Sequence, residues 1–292
     1  MSRASDRCSP TAIAYPNRIT GIAAMCELFS MSSRYPANIS FSLEEFARHG
    51  GMSGPHKDGW GIAFYEGGDV RLIREADSAA TSPCIEYIRS HKYPSSIVIS
   101  HLRKATLGAV NLSNTQPFSR ELAGRMHVFA HNGDLDNILT NPDMLLSNYH
   151  PIGNTDSEFA FCHLMHLLQD IWQRGAAPEL KARYQVVSAF AAKIRPLGPS
   201  NFIYSDGEYL FVHGHERSQP GKEGLHPPGL FWICRTCTPG HQRVEIPGLE
   251  LEYEGAEQKA ALIASVPLTN EKWHPLDKGE IVVFREGERV PC

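Results

Sequence analysis

The chain is divided into short apolar runs that fold back at glycine-bearing turns, and this pattern restricts the fold more than any other feature. Residues 61–75, "GIAFYEGGDVRLIRE", are two such runs around Gly67-Gly68, and residues 201–214, "NFIYSDGEYLFVHG", repeat the arrangement about Asp206-Gly207. Both read as β-hairpins. "CELFSMSS" from Cys26, "SSIVISHLRKA", "RMHVFAHNGDL" ending at Asn132-Gly133, "LFWICRT", "LELEYEG", "AALIASVPLT" and "EIVVFRE" supply further strands. Repeated hairpins favour antiparallel pairing.

Helical spacing is concentrated in the middle of the chain. Phe159, Cys162, Leu164, Met165, Leu167, Leu168 and Trp172 recur at helical intervals, and Thr155 or Asp156 with Glu158 makes a helix start. "ELKARYQVVSAFAAKI" predicts a second helix directly after it, and a shorter candidate covers Ser42 to His49. Two consecutive helices break any strict strand–helix alternation, so the expected class is α+β, with sheets packed together and helices covering them. There is no internal repeat, low-complexity tract or clear linker, which favours one domain from Met25 to the C-terminus.

Composition sets the outer limits. A chain of 292 residues, 42% hydrophobic and 21% charged, can bury a proper core. A formal net charge of −4 gives no basic footprint for nucleic acid, and no apolar run approaches the length of a membrane span. Seven scattered cysteines, an odd number, do not form a disulfide framework; a reducing cytoplasm fits them better. Residues 1–24 stand apart: basic, broken by Pro10, Pro16, Asn17 and Arg18, and without the continuous apolar stretch of a secretory signal. They read as a leader, a disordered tail or an artefact of the start-codon choice.

Four stretches can carry chemistry. In "MCELFSMSS", removal of Met25 would leave Cys26 as residue one, with its α-amine beside its own thiol. An α-amine, with a reference pKa of about 7.7–8.0, is a usable base near neutrality. The alternative is an ordinary buried strand cysteine. In "SHLRKATLG", Arg103 ends a buried strand and needs a carboxylate, from the protein or from a ligand. In "AHNGDLDN", Asn132-Gly133 is either a turn or a pair of neutral donors aimed at one point, the arrangement an oxyanion requires. In "GNTDSE", Asp156 is either a helix cap or a partner for a ligand's ammonium group.

Taken together, "MCELFSMSS", "GPHKDGWGIAFYEG", "SHLRKATLG", "NTQPFSREL", "FAHNGDLDN" and "GNTDSEFAFCHLMH" resemble the glutaminase domain of class II glutamine amidotransferases, in the N-terminal-nucleophile hydrolase superfamily. The likeness is to the stand-alone bacterial type whose chains begin Met-Cys-Glu-Leu, and it spans Met25 to about Val290. It implies a four-layer αββα sandwich of two antiparallel sheets. Its pattern makes Cys26 the nucleophile and Asn132 and Gly133 the oxyanion donors. Arg103 would grip a substrate α-carboxylate, Asp156 its α-ammonium, and Thr106 would help line the pocket.

The implied reaction is cleavage of the side-chain amide of glutamine, or of a γ-glutamyl amide, through a thioester and without a metal or cofactor. Lys104 stands where many relatives have Trp, and Gln116 where His commonly precedes the proline. The implied partner is a small-molecule substrate, with a separate synthase subunit receiving the ammonia as one alternative and a catalytically silent binding module as another. Of the remaining motifs, Cys234, Cys237 and His241 lack a second thiol pair for zinc. The glycine-rich residues 49–61 lack a phosphate loop's Lys-Ser/Thr ending and read as a loop bordering the site. His163 and His166 read as packing or surface residues.

Overall fold

The computed structural model describes residues 26–41, 58–105, 108–219, 222–237, 243–246, 249–253 and 257–292. The leader, the helix expected over Ser42 to His49, most of the glycine-rich loop, Thr106 and His241 lie outside them.

In chain order the first half contains β1 (Glu27–Phe41), β2 (Trp60–Glu66), β3 (Asp69–Glu75), helix α1 (Pro83–His91), β4 (Ser95–Leu102), β5 (Phe118–Leu122) and β6 (Arg125–Asn132). Two helices follow, α2 (Asp156–Leu168) and α3 (Leu180–Ile194). The second half adds β7 (Asn201–Ser205), β8 (Leu210–His213), the short β9 (Arg217–Ser218) and β10 (Leu225–His226), and β11 (Phe231–Cys237). It closes with β12 (Arg243–Ile246), β13 (Leu249–Tyr253), β14 (Gln258–Ala264), β15 (His274–Pro275), β16 (Ile281–Arg285) and β17 (Glu288–Val290).

Both expected hairpins form. Glu66 pairs with Asp69 across Gly67-Gly68, where Gly67 takes φ +63°, and Ser205 pairs with Leu210 across the Asp206–Tyr209 loop. All the named strand pairings are antiparallel. They assemble two main sheets: nine strands along the path β15-β11-β14-β1-β4-β2-β3 with β13 and β12 attached, and six in the order β17-β16-β8-β7-β6-β5.

Three apolar clusters divide the molecule into four layers. Alternate residues of the two sheets, among them Leu28, Ala63 and Ile99 facing Ala130, Ile203 and Val212, fill the space between them. The opposite face of the nine-stranded sheet packs on Ile85 and Ile88 of α1. The opposite face of the six-stranded sheet packs on Phe161, Leu164 and Met165 of α2 and Val187, Phe190 and Ile194 of α3. Helix, sheet, sheet, helix is the αββα order.

Helix α1 is not evident from apolar spacing. Its start is conventional all the same: the Ser82 hydroxyl accepts from the Cys84 N–H (3.1 Å), and Pro83 occupies the first turn. Among the described residues no helix is long and apolar enough to cross a membrane.

Candidate active site

Antiparallel pairing brings distant residues to one end of the sandwich. Glu27 pairs with Leu102, so Cys26, just before β1, and Arg103, just after β4, are neighbours. On the facing sheet Asn132 ends β6, and Gly133 follows. The Asn132 side-chain amide donates to the Cys26 carbonyl, joining the two sheets at this point. Cys26, Arg103, Gly133 and Asp156 line a single cavity with Lys104, Asn114, Gln116, His131, Thr155 and Ser157. The cavity therefore unites residues singled out from four separate stretches; Asn132 stands outside its lining but reaches Cys26 through its side chain, and Thr106 falls outside the described residues.

The Cys26 sulfur is enclosed although the residue as a whole is half-buried, and burial pushes its thiol up to about 11. The Lys104 N–H and the Arg103 charge act in the opposite direction, and Asp134 adds to the rise. Lys104 N–H donates to Sγ (3.1 Å), and the thiol donates to the Lys104 carbonyl (3.3 Å). Among the described residues the sulfur's hydrogen-bond partners are main-chain groups, these and its own. No imidazole or carboxylate of that set reaches it. A thiol so placed stays protonated at neutral pH unless another base is supplied.

Arg103 is buried at the cavity wall. Its guanidinium donates to the carbonyls of Ala109 (3.1 Å) and Gly108 (3.4 Å), and burial lowers its pKa against the pull of Cys26 and Asp58. Its main chain is fixed from both sides, by the Gly59 carbonyl (2.8 Å) and the Asp58 N–H (3.3 Å). The Asp58 carboxylate also takes the Ala105 N–H (2.9 Å). The 103–105 turn that offers the Lys104 N–H to the sulfur is thus held by the residues leading into β2.

Asp156 does not cap its helix. Thr155 does so, its hydroxyl accepting from the Glu158 N–H (3.3 Å), while Glu158 itself turns to Arg120 (2.6 Å) and the Gly153 N–H (2.7 Å). The buried Asp156 carboxylate instead accepts from the main chain of Leu135 (2.7 Å) and Ser157 (2.8 Å). It is thereby aimed at the cavity from the helix's first turn, where a negative charge is favoured.

Gly133 is dictated by crowding. With φ +159° it lies so close to the Pro199 carbonyl that any Cβ would come within 1.7 Å of that oxygen. Asn132-Gly133 is a strand terminus pressed on a neighbouring loop rather than a hairpin turn.

Of three further contributors, Lys104 and Gln116 were marked by the sequence only as departures from the family pattern, and His131 was not marked at all. The Lys104 N–H acts through the main chain, which no residue type encodes. Gln116 makes a two-point clamp on β6: its oxygen accepts from the His131 N–H (2.6 Å), and its amide donates to the His131 carbonyl (3.1 Å). His131, buried with its pKa lowered by that burial, meets the Ser157 hydroxyl through Nδ1 (2.9 Å). Away from the site, His163 is buried against the Leu145 carbonyl (2.7 Å), which makes it a packing residue.

Comparisons with known proteins bear on the family and the fold. A family model described as class II glutamine amidotransferases matches residues 25–292. The chain is 36% identical to a candidate glutamine amidotransferase of Haemophilus influenzae, over 94% of this chain and 88% of that one. It is 35% identical to the candidate glutamine amidotransferase YafJ of Escherichia coli, over 91% of this chain and all of that one. The crystal structure of a predicted glutamine amidotransferase from Pseudomonas aeruginosa superposes with a TM-score of 0.65 at 31% identity, covering 91% of this chain and all of that one. The glutamine phosphoribosylpyrophosphate amidotransferase of Bacillus subtilis shares the fold, with a TM-score of 0.55 at 16% identity over 91% of this chain and 48% of that one.

Proposed function

The chain belongs to the class II glutamine amidotransferases, and from that premise we propose that it cleaves the side-chain amide of glutamine, or of a γ-glutamyl amide, through a thioester on Cys26. The observation that carries the proposal is the cavity itself: an enclosed thiol without a side-chain base among the described residues, facing a buried guanidinium and a buried carboxylate.

A thiol held near 11 needs a base, and the α-amine of Cys26 supplies it once the chain begins there. The active form is therefore the one in which Met25 and everything before it are absent. Arg103 takes the substrate's α-carboxylate and Asp156 its α-ammonium, which orients the γ-amide toward the sulfur. Thr106 borders the same pocket in this reading.

The amine removes the thiol proton, and the thiolate attacks the amide carbon. Negative charge moves to the carbonyl oxygen, which accepts from the Asn132 side chain and the Gly133 N–H. A primary amide carries two N–H bonds, so the contact from Asn132 to the Cys26 carbonyl does not exhaust it. Collapse breaks the C–N bond as the ammonium returns its proton to the departing nitrogen. The γ-glutamyl thioester is then opened by water, deprotonated by the same amine, and the thiol is restored.

Protein starting at Cys26 is expected to release ammonia from glutamine or hydroxylamine from a γ-glutamyl hydroxamate, and to give a mass increment of one γ-glutamyl group when the acyl-enzyme is trapped. Cys26→Ala should lose both signals. Undiminished turnover by Cys26→Ala would overturn the proposal.

A further inference from the structure

Among the described residues two buried arginines lie outside the cavity and are unused by the chemistry above: Arg183, ion-paired with Asp206, and Arg217. Arg217 opens β9, is 4% exposed, and donates through Nη1 to the Ser265 carbonyl (2.5 Å). Ser265 in turn secures the strand that carries the nucleophile: its N–H donates to the Leu28 carbonyl (3.0 Å), and its hydroxyl accepts from the Leu28 N–H (2.9 Å). Both main-chain groups of the residue two places after Cys26 are therefore fixed by one serine, and that serine's carbonyl by Arg217.

The residues just before Arg217 are tied to the other side of the site. Asn201 accepts from the His215 N–H (2.7 Å) and donates to the carbonyls of Glu216 (2.9 Å) and Asn132 (3.2 Å). Gly229 presses on the Asn201 amide so closely that a Cβ there would overlap it, at 1.5 Å from Oδ1. With the Asn132 bond to the Cys26 carbonyl, the contacts close a ring from Cys26 through Asn132, Asn201, residues 215–217, Ser265 and Leu28 back to Cys26.

We infer that Arg217 and Asn201 are positioning residues, and that the segment they anchor fixes the nucleophile's strand on one sheet against the oxyanion residue on the other. The apolar layer between the sheets is non-directional and does not by itself set the angles at the site. Hydrogen bonds do, and a misplacement of about 1 Å in a reacting pair can lower a rate about 100-fold. Burial lowers the Arg217 pKa while Glu27 and Cys26 act to raise it, so its charge also lies within reach of the reacting end of β1.

The inference rests on Cys26 being the nucleophile, and Cys26→Ala is run alongside to separate the two ideas. In the chain matured to expose the Cys26 amine, Arg217→Met and Asn201→Ser should each lower kcat for a γ-glutamyl hydroxamate about 10–100-fold. KM should change by less than about threefold, because Arg103 and Asp156 stand outside the ring. Arg217→Lys, which keeps a donor and the charge, should recover at least part of the loss, and it replaces Arg217→Met if that variant does not fold. The double variant should be little worse than the poorer single one, since one break already opens the ring.

Folded variants with unchanged kcat, or single effects that multiply in the double variant, would overturn the inference while leaving Cys26 in place. Turnover by Cys26→Ala would instead fault the proposed nucleophile.

Discussion

Strand β6 is held in two opposite ways along its eight residues. At its middle, Phe129 stacks on Phe161 (5.3 Å between centroids, 3° between planes) and meets Phe202 at 5.5 Å and Phe190 at 6.2 Å. Three residues later, its end is fixed by side chains reaching main-chain groups, Gln116 on His131 and Asn201 on Asn132, and the Pro199 carbonyl crowds Gly133 just beyond it. Aromatic packing stabilises chiefly through buried area and close packing, with ring geometry adding a smaller share. The polar end gives less stabilisation per contact but fixes angles and distances. One strand thus separates what keeps the protein folded from what keeps the site in register.

That separation predicts different responses to substitution. Phe161→Ala should remove about 3–5 kcal/mol of stability, measured by denaturant unfolding, while kcat/KM per folded molecule stays near that of the parent. A large fall in kcat for the folded fraction would erase the distinction. Asn132→Ala should do the reverse: kcat falls about 100–1,000-fold, with a melting temperature close to the parent's. Equal losses of activity and stability would show that this end of the strand is also structural.

Acid should act on the buried interior. Burial lowers His127 to about 4 and His213 to about 3, so below about pH 6.5 the unfolded chain binds protons that the folded one refuses. Stability should therefore be full above that pH and decline as pH falls toward 4 and then 3. Each histidine contributes a slope of up to about 1.4 kcal/mol per pH unit. A melting temperature flat from pH 6.5 to 4 would contradict this. The smallest effect is expected at the clamp: Gln116→Ala should lower stability by about 1–3 kcal/mol, and Gln116→His, which keeps part of the contact, by less.

The same contrast explains what the sequence disclosed. The two hairpins, the α2 start at Thr155, the end of β6 at Asn132-Gly133 and the α+β class follow from local periodicity and turn chemistry, which act over a few residues. Cys26, Arg103, Asn132, Gly133 and Asp156 were each equivocal on spacing, and the family resemblance gave them a common purpose. The convergence of Cys26, Arg103, Gly133 and Asp156 on one cavity, with Asn132 bonded to the Cys26 carbonyl beside it, depends on the pairing of β1 with β4 and the stacking of two sheets, which no local pattern specifies.

Asn201, Ser265 and Arg217 were missed, and Gln116 was noted only as a departure from the family pattern, because each acts on the main chain of a distant segment, and such a bond leaves no trace in spacing. Asp156 shows the reverse: its position suggested a cap, but Thr155 takes that role and leaves the carboxylate facing the cavity.

In the proposed mechanism the terminal amine of Cys26 is the base for its own thiol. The most direct measurement compares glutaminase turnover of chains beginning at Cys26 with the α-amine free and with it acetylated. The free form should be active, with a rate that rises as pH passes through about 7.7–8.0, where an α-amine loses its proton. The acetylated form, with the same fold and the same cavity, should be inactive. Equal turnover by the two forms would mean that the amine is not the base.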